Sequence, residues 1–417
     1  MNGNHLTRLP LVIGLSVAAA SANASPQQFM SSRSFAMAGT GVAAAQPAEA
    51  ATSNPALMAA SQHDWADDFG LILPSLNIRM ADEQDTVGQI DDIQDTIDNI
   101  DTAIDNLDGT GTQAGAGKLR EELKQFDGDT VRANVGLGLA VSIPSRTLAV
   151  GVFANSNLTL TARGEYSDSD DALLASIESG IPNPNYSDSL ESRGKVLASA
   201  ITEVGVSFAH ALRLNNGQTL QLGISPKYVR LETFQYSSTV TGFDDEDYDN
   251  DAYQTEKSGF NMDLGAVLTF GDVNQWNAGL VVRNLIPMEL DSAASKPELG
   301  EKVRTLELNP MVTAAIAHKT RYQVITAELD LTRKEGFGYE DDTQWLALGA
   351  EFDAWRYAQL RVGVRQNLAS NDDNNGIEEK TQFTAGLGLN LMGVHMDIGA
   401  LYSDADLGAA LELGTAF

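Results

Sequence analysis

Leu387-Gly388-Leu389-Asn390-Leu391-Met392-Gly393-Val394-His395-Met396-Asp397-Ile398 alternates apolar side chains with small or polar ones on both sides of the two-residue turn Met392-Gly393. Successive side chains of a strand point to opposite faces. Leu387, Leu389 and Leu391 therefore share one face, as do Val394, Met396 and Ile398, while Asn390, His395 and Asp397 lie on the other. A hairpin that is apolar on one face and charged on the other suits an apolar medium outside and a polar one inside. That is the alternation of a transmembrane β-barrel.

The same pattern extends outward from this hairpin. Strands are expected near 69–80, 131–143, 147–163, 200–212, 218–236, 258–271, 275–285, 305–318, 321–333, 343–353, 356–368, 380–391, 394–402 and 407–417. The count is fourteen, even as in bacterial barrels. The connections alternate between short and long. Short turns fall at Pro144-Ser145-Arg146, Leu214-Asn215-Asn216-Gly217, Gly271-Asp272-Val273-Asn274, His318-Lys319-Thr320, Asp353-Ala354-Trp355 and Met392-Gly393. Long loops occupy about 81–130, 164–199, 237–257, 286–304, 334–342 and 369–379, with a small one at 403–406. Short periplasmic turns against long outer loops is outer-membrane topology, and a soluble β-sandwich has no reason to alternate this way. Trp276, Tyr322, Trp355 and Tyr357 lie beside short turns, where an interfacial girdle belongs. The last strand sets Leu407, Ala409, Leu411 and Leu413 on one face, with Thr415 as a polar interruption, and ends at Phe417. Barrel assembly machinery reads strands of this kind.

Arg8, the apolar run Leu9 to Ala20 and the small-x-small pattern Ala22-Asn23-Ala24 are expected to form a signal peptide over 1–24. The run is too short to span a bilayer. The chain has no cysteine, which excludes disulfides and thiol chemistry. Its 27 basic and 57 acidic residues give a net charge of -30, which argues against nucleic acid as a partner. Residues 25–66 are Ala/Ser-rich with little alternation. Within 83–107, by contrast, Val87, Ile90, Ile93, Ile97, Ile100, Ile104 and Leu107 recur at three and four residues, a helical spacing. An amphipathic helix in the first outer loop, packing on a second piece near Lys118 to Phe126, is one reading. A partner-binding helix is the other.

If one face meets lipid, the other meets the lumen. Parity places Lys227, Asp263, Arg283, Glu328, Asp330, Glu351, Arg361, Arg365, His395 and Asp397 inward, because a charge facing lipid at mid-depth costs about 2–4 kcal/mol. Two readings stay open: salt bridges that hold an inserted plug, or a polar conduction path. Pro74, Pro226 and Pro310 fall inside expected strands, where proline removes a ladder hydrogen bond. Each marks a kink near an interface or a break in the wall, and Pro226 is the foremost candidate for a lateral opening.

Candidate chemistry is sparse. The glycine-rich phrases at Gly39-Thr40-Gly41, Gly136-Leu137-Gly138 and Gly386-Leu387-Gly388 lack the strand-turn-helix setting of a phosphate loop. In strands they fit places where a plug comes close or the wall curves. His210, His318 and His395 have no partner set for hydrolysis. No enzyme activity, cofactor or established metal site is expected. Asp245, Asp247 and Asp249, with Glu256 at the twelfth position, imitate the spacing of a calcium loop. Asn250 stands where glycine is usual there, so a solvated acidic loop is the alternative.

Ser34-Phe35-Ala36-Met37-Ala38-Gly39-Thr40-Gly41-Val42-Ala43, then Ala50-Ala51 and Asn54-Pro55-Ala56, resembles the N-terminus of the long-chain fatty-acid transporter (FadL-type) superfamily. Asp67-Asp68-Phe69-Gly70-Leu71-Ile72-Leu73-Pro74-Ser75, followed by the Asp/Ile helix, more closely resembles the barrel family catalogued as conjugal transfer protein TraF. The resemblance implies fourteen strands and a hatch over 25–66 with Asn54, Pro55 and Ala56 at its turn. It also implies a hydrophobic ligand near that hatch, leaving through a kinked strand. The expected architecture is all-β: a 14-stranded antiparallel transmembrane barrel over 67–417, with an N-terminal plug and a helical insertion at 81–130. The expected partners are outer-membrane lipid, the barrel assembly machinery, and a hydrophobic small molecule or a surface protein. The expected role is transport or surface assembly linked to conjugative transfer. The alternative is a surface-interaction protein whose barrel anchors acidic loops.

Overall fold

The computed structural model describes residues 29–60, 70–215, 217–242, 251–353, 357–371, 377–391 and 394–416. The expected signal peptide, Trp355 and Phe417 lie outside them. Fourteen strands close on themselves: β1 (Gly70–Ala81), β2 (Thr130–Ile143), β3 (Ala149–Glu165), β4 (Arg193–Arg213), β5 (Thr219–Thr239), β6 (Gln254–Phe270), β7 (Trp276–Arg283), β10 (Met311–Lys319), β11 (Gln323–Asp330), β12 (Trp345–Asp353), β13 (Ala358–Asn367), β14 (Thr381–Leu391), β15 (Val394–Tyr402) and β16 (Asp406–Ala416). Each pairs antiparallel with the next. β1 shuts the ring against β16, with Leu76 opposite Leu411 and Met80 opposite Leu407.

The pleat decides what each face meets. Leu387, Leu389, Val394, Met396 and Ile398 are 38–56% exposed on the outside, whereas Asp397 is 1% exposed inside. The same apolar exterior runs round the ring through Leu76, Leu139, Phe208, Leu222, Leu264, Leu280, Ile316, Leu348 and Val362.

Three segments differ from the expectation. The strand expected over 305–318 is broken at Asn309-Pro310. Thr305–Leu308 forms β9, which pairs with β8 (Met288–Asp291) in a separate hairpin, while β7 pairs directly with β10. Proline has no N–H for a continuous ladder, so Pro310 marks the junction between hairpin and wall. Strand β4 begins at Arg193, well before the expected residue 200, because Arg193 to Ser199 lie above the apolar exterior. There the outward positions no longer carry large apolar residues. The loop before it also holds helix α5 (Asp168–Glu178).

The helical spacing at 83–107 is realised as α3 (Thr86–Asp105), which packs on α4 (Gly109–Phe126). α4 starts before Lys118 despite four glycines, which are poor helix formers. A side chain at Gly115 would lie 2.5 Å from Ile100 Cγ1, so the close approach of the two helices selects glycine there. Ile93, Ile97, Ile100, Leu119, Leu123 and Phe126 form one core with Leu174 and Ile177 of α5. Val87 and Leu107 stay exposed.

Pro74 sits in a β-bulge. The register of β1 shifts between Ile72 and Ser75 against both neighbours, and Leu73 and Pro74 both point outward. Pro226 keeps its place opposite Met262, but the β4–β5 ladder is interrupted between Gly205–Lys227 and Phe208–Ile224. On the inner side of that gap the Ser207 and Ser225 hydroxyls are 2.6 Å apart.

Candidate functional site

The N-terminal segment lies inside the ring. α1 (Ser32–Ala36) packs against β13 to β16 and β1, and α2 (Pro47–Ser53) against β1 to β3. A 3-10 turn over Pro55–Ala59 packs against β3 to β6. Phe35, Ala36, Met37, Ala50, Ala56, Leu57 and Met58 are buried. The wall meets this segment with glycine where the backbones touch. A Cβ at Gly223 would lie 2.4 Å from the Ala56 nitrogen, and one at Gly363 2.6 Å from the Ala38 nitrogen. Asn54, fully buried, fixes the turn before Pro55 and Ala56. Its Nδ2 donates to the Val42 carbonyl at 2.8 Å, and its Oδ1 accepts from the Ala56 N–H at 3.2 Å.

Charged side chains fasten the segment to the wall. Arg33 donates to Glu351 of β12 through Nε (2.8 Å) and Nη2 (3.0 Å), and to Glu49 of α2 at 3.2 Å. Glu351 also accepts from Arg361 of β13 at 2.7 Å. Arg361 in turn pairs with Asp397, which also accepts from His395 Nε2 at 2.7 Å. Glu328 accepts from the Gly41 and Val42 N–H groups, the latter at 2.7 Å, and Glu412 from the Ser32 N–H at 3.0 Å. Buried ions persist only when paired and hydrogen-bonded, and these groups supply that for one another.

Two further knots tie wall to wall. Lys227 bridges Glu203 (2.7 Å) and Asp263 (2.8 Å) across β4, β5 and β6. Nearer the long loops, Arg79 and Arg132 share Glu379 and Asp406 at 2.5–3.0 Å, with Gln382 donating to both carboxylates.

Among residues placed inward by parity, Lys227 and Asp263 therefore meet each other. Glu351, Arg361, His395 and Asp397 join the Arg33 knot. Arg283, Glu328, Asp330 and Arg365 line a cavity of about 80 Å³ above the N-terminal segment. Sequence reasoning missed Arg33, Glu49, Arg79, Arg132, Glu379, Asp406, Lys334 and Trp345. Arg79 was within reach, since it alternates with the outward Ile78 and Met80. Lys334 and Glu379 come from loops that fold inward and carry no periodic signal.

The cavity sets three carboxylates among three cations. Glu49 and Glu328 are engaged as above, and Asp330 accepts from the Thr313 hydroxyl (2.8 Å) and the Trp345 N–H (3.2 Å). Arg283 donates to the Ser53 carbonyl at 2.6 Å. Arg365 stacks on the Trp345 ring, its guanidinium carbon 4.2 Å from the centroid, and donates through Nε to Gln382 at 2.6 Å. The Lys334 ammonium, in the loop after β11, is 3.8 Å from Asp330. Burial holds Lys334 below the ordinary lysine value; Asp330 opposes the shift, and Arg283 and Arg365 add to it.

Above this level the β8–β9 hairpin lines the inside of the wall. Met288, Leu290, Leu306 and Leu308 pack on Leu197, Ile201, Val229 and Leu231, together with Phe337 and Tyr339. Outside the barrel ladder, burial pushes the Tyr186 phenol up, helped by Asp101 and Asp98, and Asp171 is held well below the usual carboxylate range by Arg120 and Lys124.

Of the calcium-like spacing, Asp245, Asp247 and Asp249 lie outside the described residues. Glu256 lies in β6, paired with Arg230 at 2.5 Å. Among the described residues no group of three or more His, Asp or Glu is placed to hold a metal ion. His318 packs on Trp276, with ring centroids 4.6 Å apart, and His210 bonds to the Thr147 carbonyl. Trp276 also stacks on Phe270, and Tyr322 and Tyr357 are exposed beside their turns.

A closed fourteen-stranded barrel with a buried N-terminal segment against its inner wall is the fold of solved monoaromatic hydrocarbon channels. The chain belongs to the family described as "F plasmid transfer operon, TraF, protein", whose model matches residues 51–330. Among solved structures it resembles the CymD monoaromatic hydrocarbon channel, with TM-score 0.51 and 11% identity over 93% of this chain and 98% of that one. It also resembles the deltaS2S3 mutant of the TodX monoaromatic hydrocarbon channel, with TM-score 0.50 and 12% identity over 94% and 99%. A FadL homologue of Pseudomonas aeruginosa aligns at TM-score 0.49 and 11% identity, over 94% and 99%. No curated protein sequence matches the chain.

Proposed function

We propose that this protein is an outer-membrane barrel through which a small molecule crosses, with residues 25–66 as the plug. The observation that carries the reading is the Arg33 knot, a displaceable polar fastening between an N-terminal segment and the wall that encloses it. A segment needed only to fill a core would pack through apolar contacts, which require no desolvated ions.

The apolar exterior supports the membrane setting. On β6 the outward Phe260 and the end residue Phe270 are ten positions apart, which matches the roughly 9–11 residues a spanning strand needs. Tyr228 packs edge-on against Phe260, with centroids 5.6 Å apart, at one level. Phe270 and Trp276 mark the other. Passage rather than catalysis also agrees with the channels that share the fold. The family description names a transfer operon, which supports a role beside conjugative transfer. Mating frequency of a deletion strain tests that part.

Planar-bilayer conductance tests the central reading. The full barrel is expected to be nearly silent. Removing residues 25–66, alone and together with the hairpin residues 288–308, is expected to open stable conductance. A doubly trimmed barrel that is folded yet silent, and that admits no small molecule into vesicles, overturns the proposal.

A further inference from the structure

We infer that the outward face of β4, β5 and β6, directly above the lipid-facing belt, binds the sugar headgroup of an outer-leaflet glycolipid. The inference rests on the membrane setting proposed above and not on passage through the lumen.

The register sorts this face into rows. The apolar belt ends at Val204, Tyr228 and Phe260, side by side on the three strands and 47–78% exposed. One row toward the long loops the neighbours are Thr202, Arg230 and Ser258, and the row beyond holds Ala200, Glu232 and Glu256. Each row advances about 7 Å along a strand, while headgroups occupy roughly 5–8 Å beyond the hydrocarbon. Arg230 therefore stands among headgroups and the two glutamates at their outer edge, where a glycolipid carries its sugar. Continuity with the belt selects the occupant: what fills this face belongs to the lipid that the belt touches.

The face is concave here. A groove of about 470 Å³ opens over Ala198 and Ala200, within the range of about 300–1,000 Å³ for ligand clefts. Ala200 is set between the taller Leu158 and Glu232 on the adjoining strands. At the upper end Tyr253 packs edge-on against Phe234 and Tyr236, with centroids 6.4 and 5.0 Å apart, which fixes the turn that carries Asp251. Glu232 and Glu256 both take Arg230 Nη2, at 2.9 and 2.5 Å, so Nε and Nη1 keep no protein partner among the described residues. The groove thus sets carboxylate acceptors and guanidinium donors beside the Phe234 ring and the Leu158 side chain. Sugar hydroxyls both donate and accept, and charged partners make the stronger bonds with them. A bare phosphate headgroup meets three carboxylates against one cation, and an acyl chain meets an ion pair, so neither fits as well.

The test offers the full chain in detergent equal amounts of lipopolysaccharide bearing core sugars, lipid A without them, and phosphatidylglycerol. Native mass spectrometry counts the bound lipid. The core-bearing lipid is expected to be retained about tenfold better than the other two, or more. Glu232→Gln and Ala200→Trp, both outward and expected to keep the heat-dependent gel shift of the barrel, should each lower that retention about tenfold. Val362→Trp, on the outward face of β13, should leave it unchanged. Equal retention of lipid A, or retention unchanged in both groove variants, overturns the inference. Free core saccharide binding as tightly as the intact lipid also overturns it, because the groove would then serve a soluble sugar. A barrel that enters vesicles yet shows no preference sinks this inference alone, whereas one that enters no vesicle and holds no lipid sinks the membrane reading.

Discussion

Arg33 of the N-terminal segment and Glu351 of strand β12 meet as a two-pronged ion pair, with Nε 2.8 Å and Nη2 3.0 Å from the carboxylate. Both are buried, and Glu351 is shared with Arg361 of the neighbouring strand. Removing one side leaves charge stranded out of water, at a cost of about 3–5 kcal/mol. Arg33→Ala is therefore expected to lower the unfolding midpoint and produce transient conductance steps absent from the parent. Arg33→Ala with Glu351→Gln should recover part of that stability without restoring closure. Equal stability and silence in the single variant would show that the pair does not fasten the segment.

Gly223→Val tests the close approach of wall and segment. Its Cβ would meet the Ala56 nitrogen at 2.4 Å and the Pro55 carbonyl carbon at 2.5 Å, backbone atoms with little room to yield. Overpacking of this kind costs typically 1–3 kcal/mol. The expected readout is faster protease cleavage within 29–60, with barrel strands still protected. Unchanged cleavage would mean that the segment tolerates a different seat.

Glu340, in the loop between β11 and β12, gives a pH signature. Burial pushes its carboxyl up to about 7 from the ordinary 4.5, against the opposing pull of Arg132 and with help from Glu379. The folded state thus holds this proton more tightly than the unfolded chain. Its stabilising contribution is fully present below about pH 4.5 and is lost as pH rises to about 7. Glu340→Gln should flatten that decline in melting temperature between the two values. An identical slope in the variant would assign the dependence elsewhere.

Leu123→Ala opens a cavity in the core shared by α3, α4 and α5. It should cost the helical unit about 2–5 kcal/mol. Phe126 meets Gly164 of β3, but the strand ladder closes without the helices, so proteolysis of 86–126 should rise while the heat-dependent gel shift of the barrel stays the same. A parallel loss of the gel shift would show that cap and barrel unfold together.

The strands were legible because an apolar outer face and a polar inner one impose a period of two, which Leu387 and Leu389 of β14 and Val394, Met396 and Ile398 of β15 display. Alternation identifies a strand but not its partner. Leu306 and Leu308 alternate equally well against a barrel wall or against Met288 and Leu290, so only the structure separates the hairpin from β10. The upper part of β4 escaped because Ala198 and Ala200 face neither lipid nor a core that demands bulk. The luminal charges of β10 to β15 followed from parity. Their partners Arg33 and Glu49 did not, since a segment of short helices and turns presents no repeating face.

Where the wall faces the N-terminal segment it is bare backbone at Gly223, Gly363 and Gly386. Gly265, Gly279 and Gly349 meet it in the same way, so the glycines form a belt round the ring rather than one side of it, and on β13 Gly363 sits between Arg361 and Arg365. Emptied, that belt offers a passing molecule peptide groups, so its girth matters there, while its charge matters at the arginines on either side.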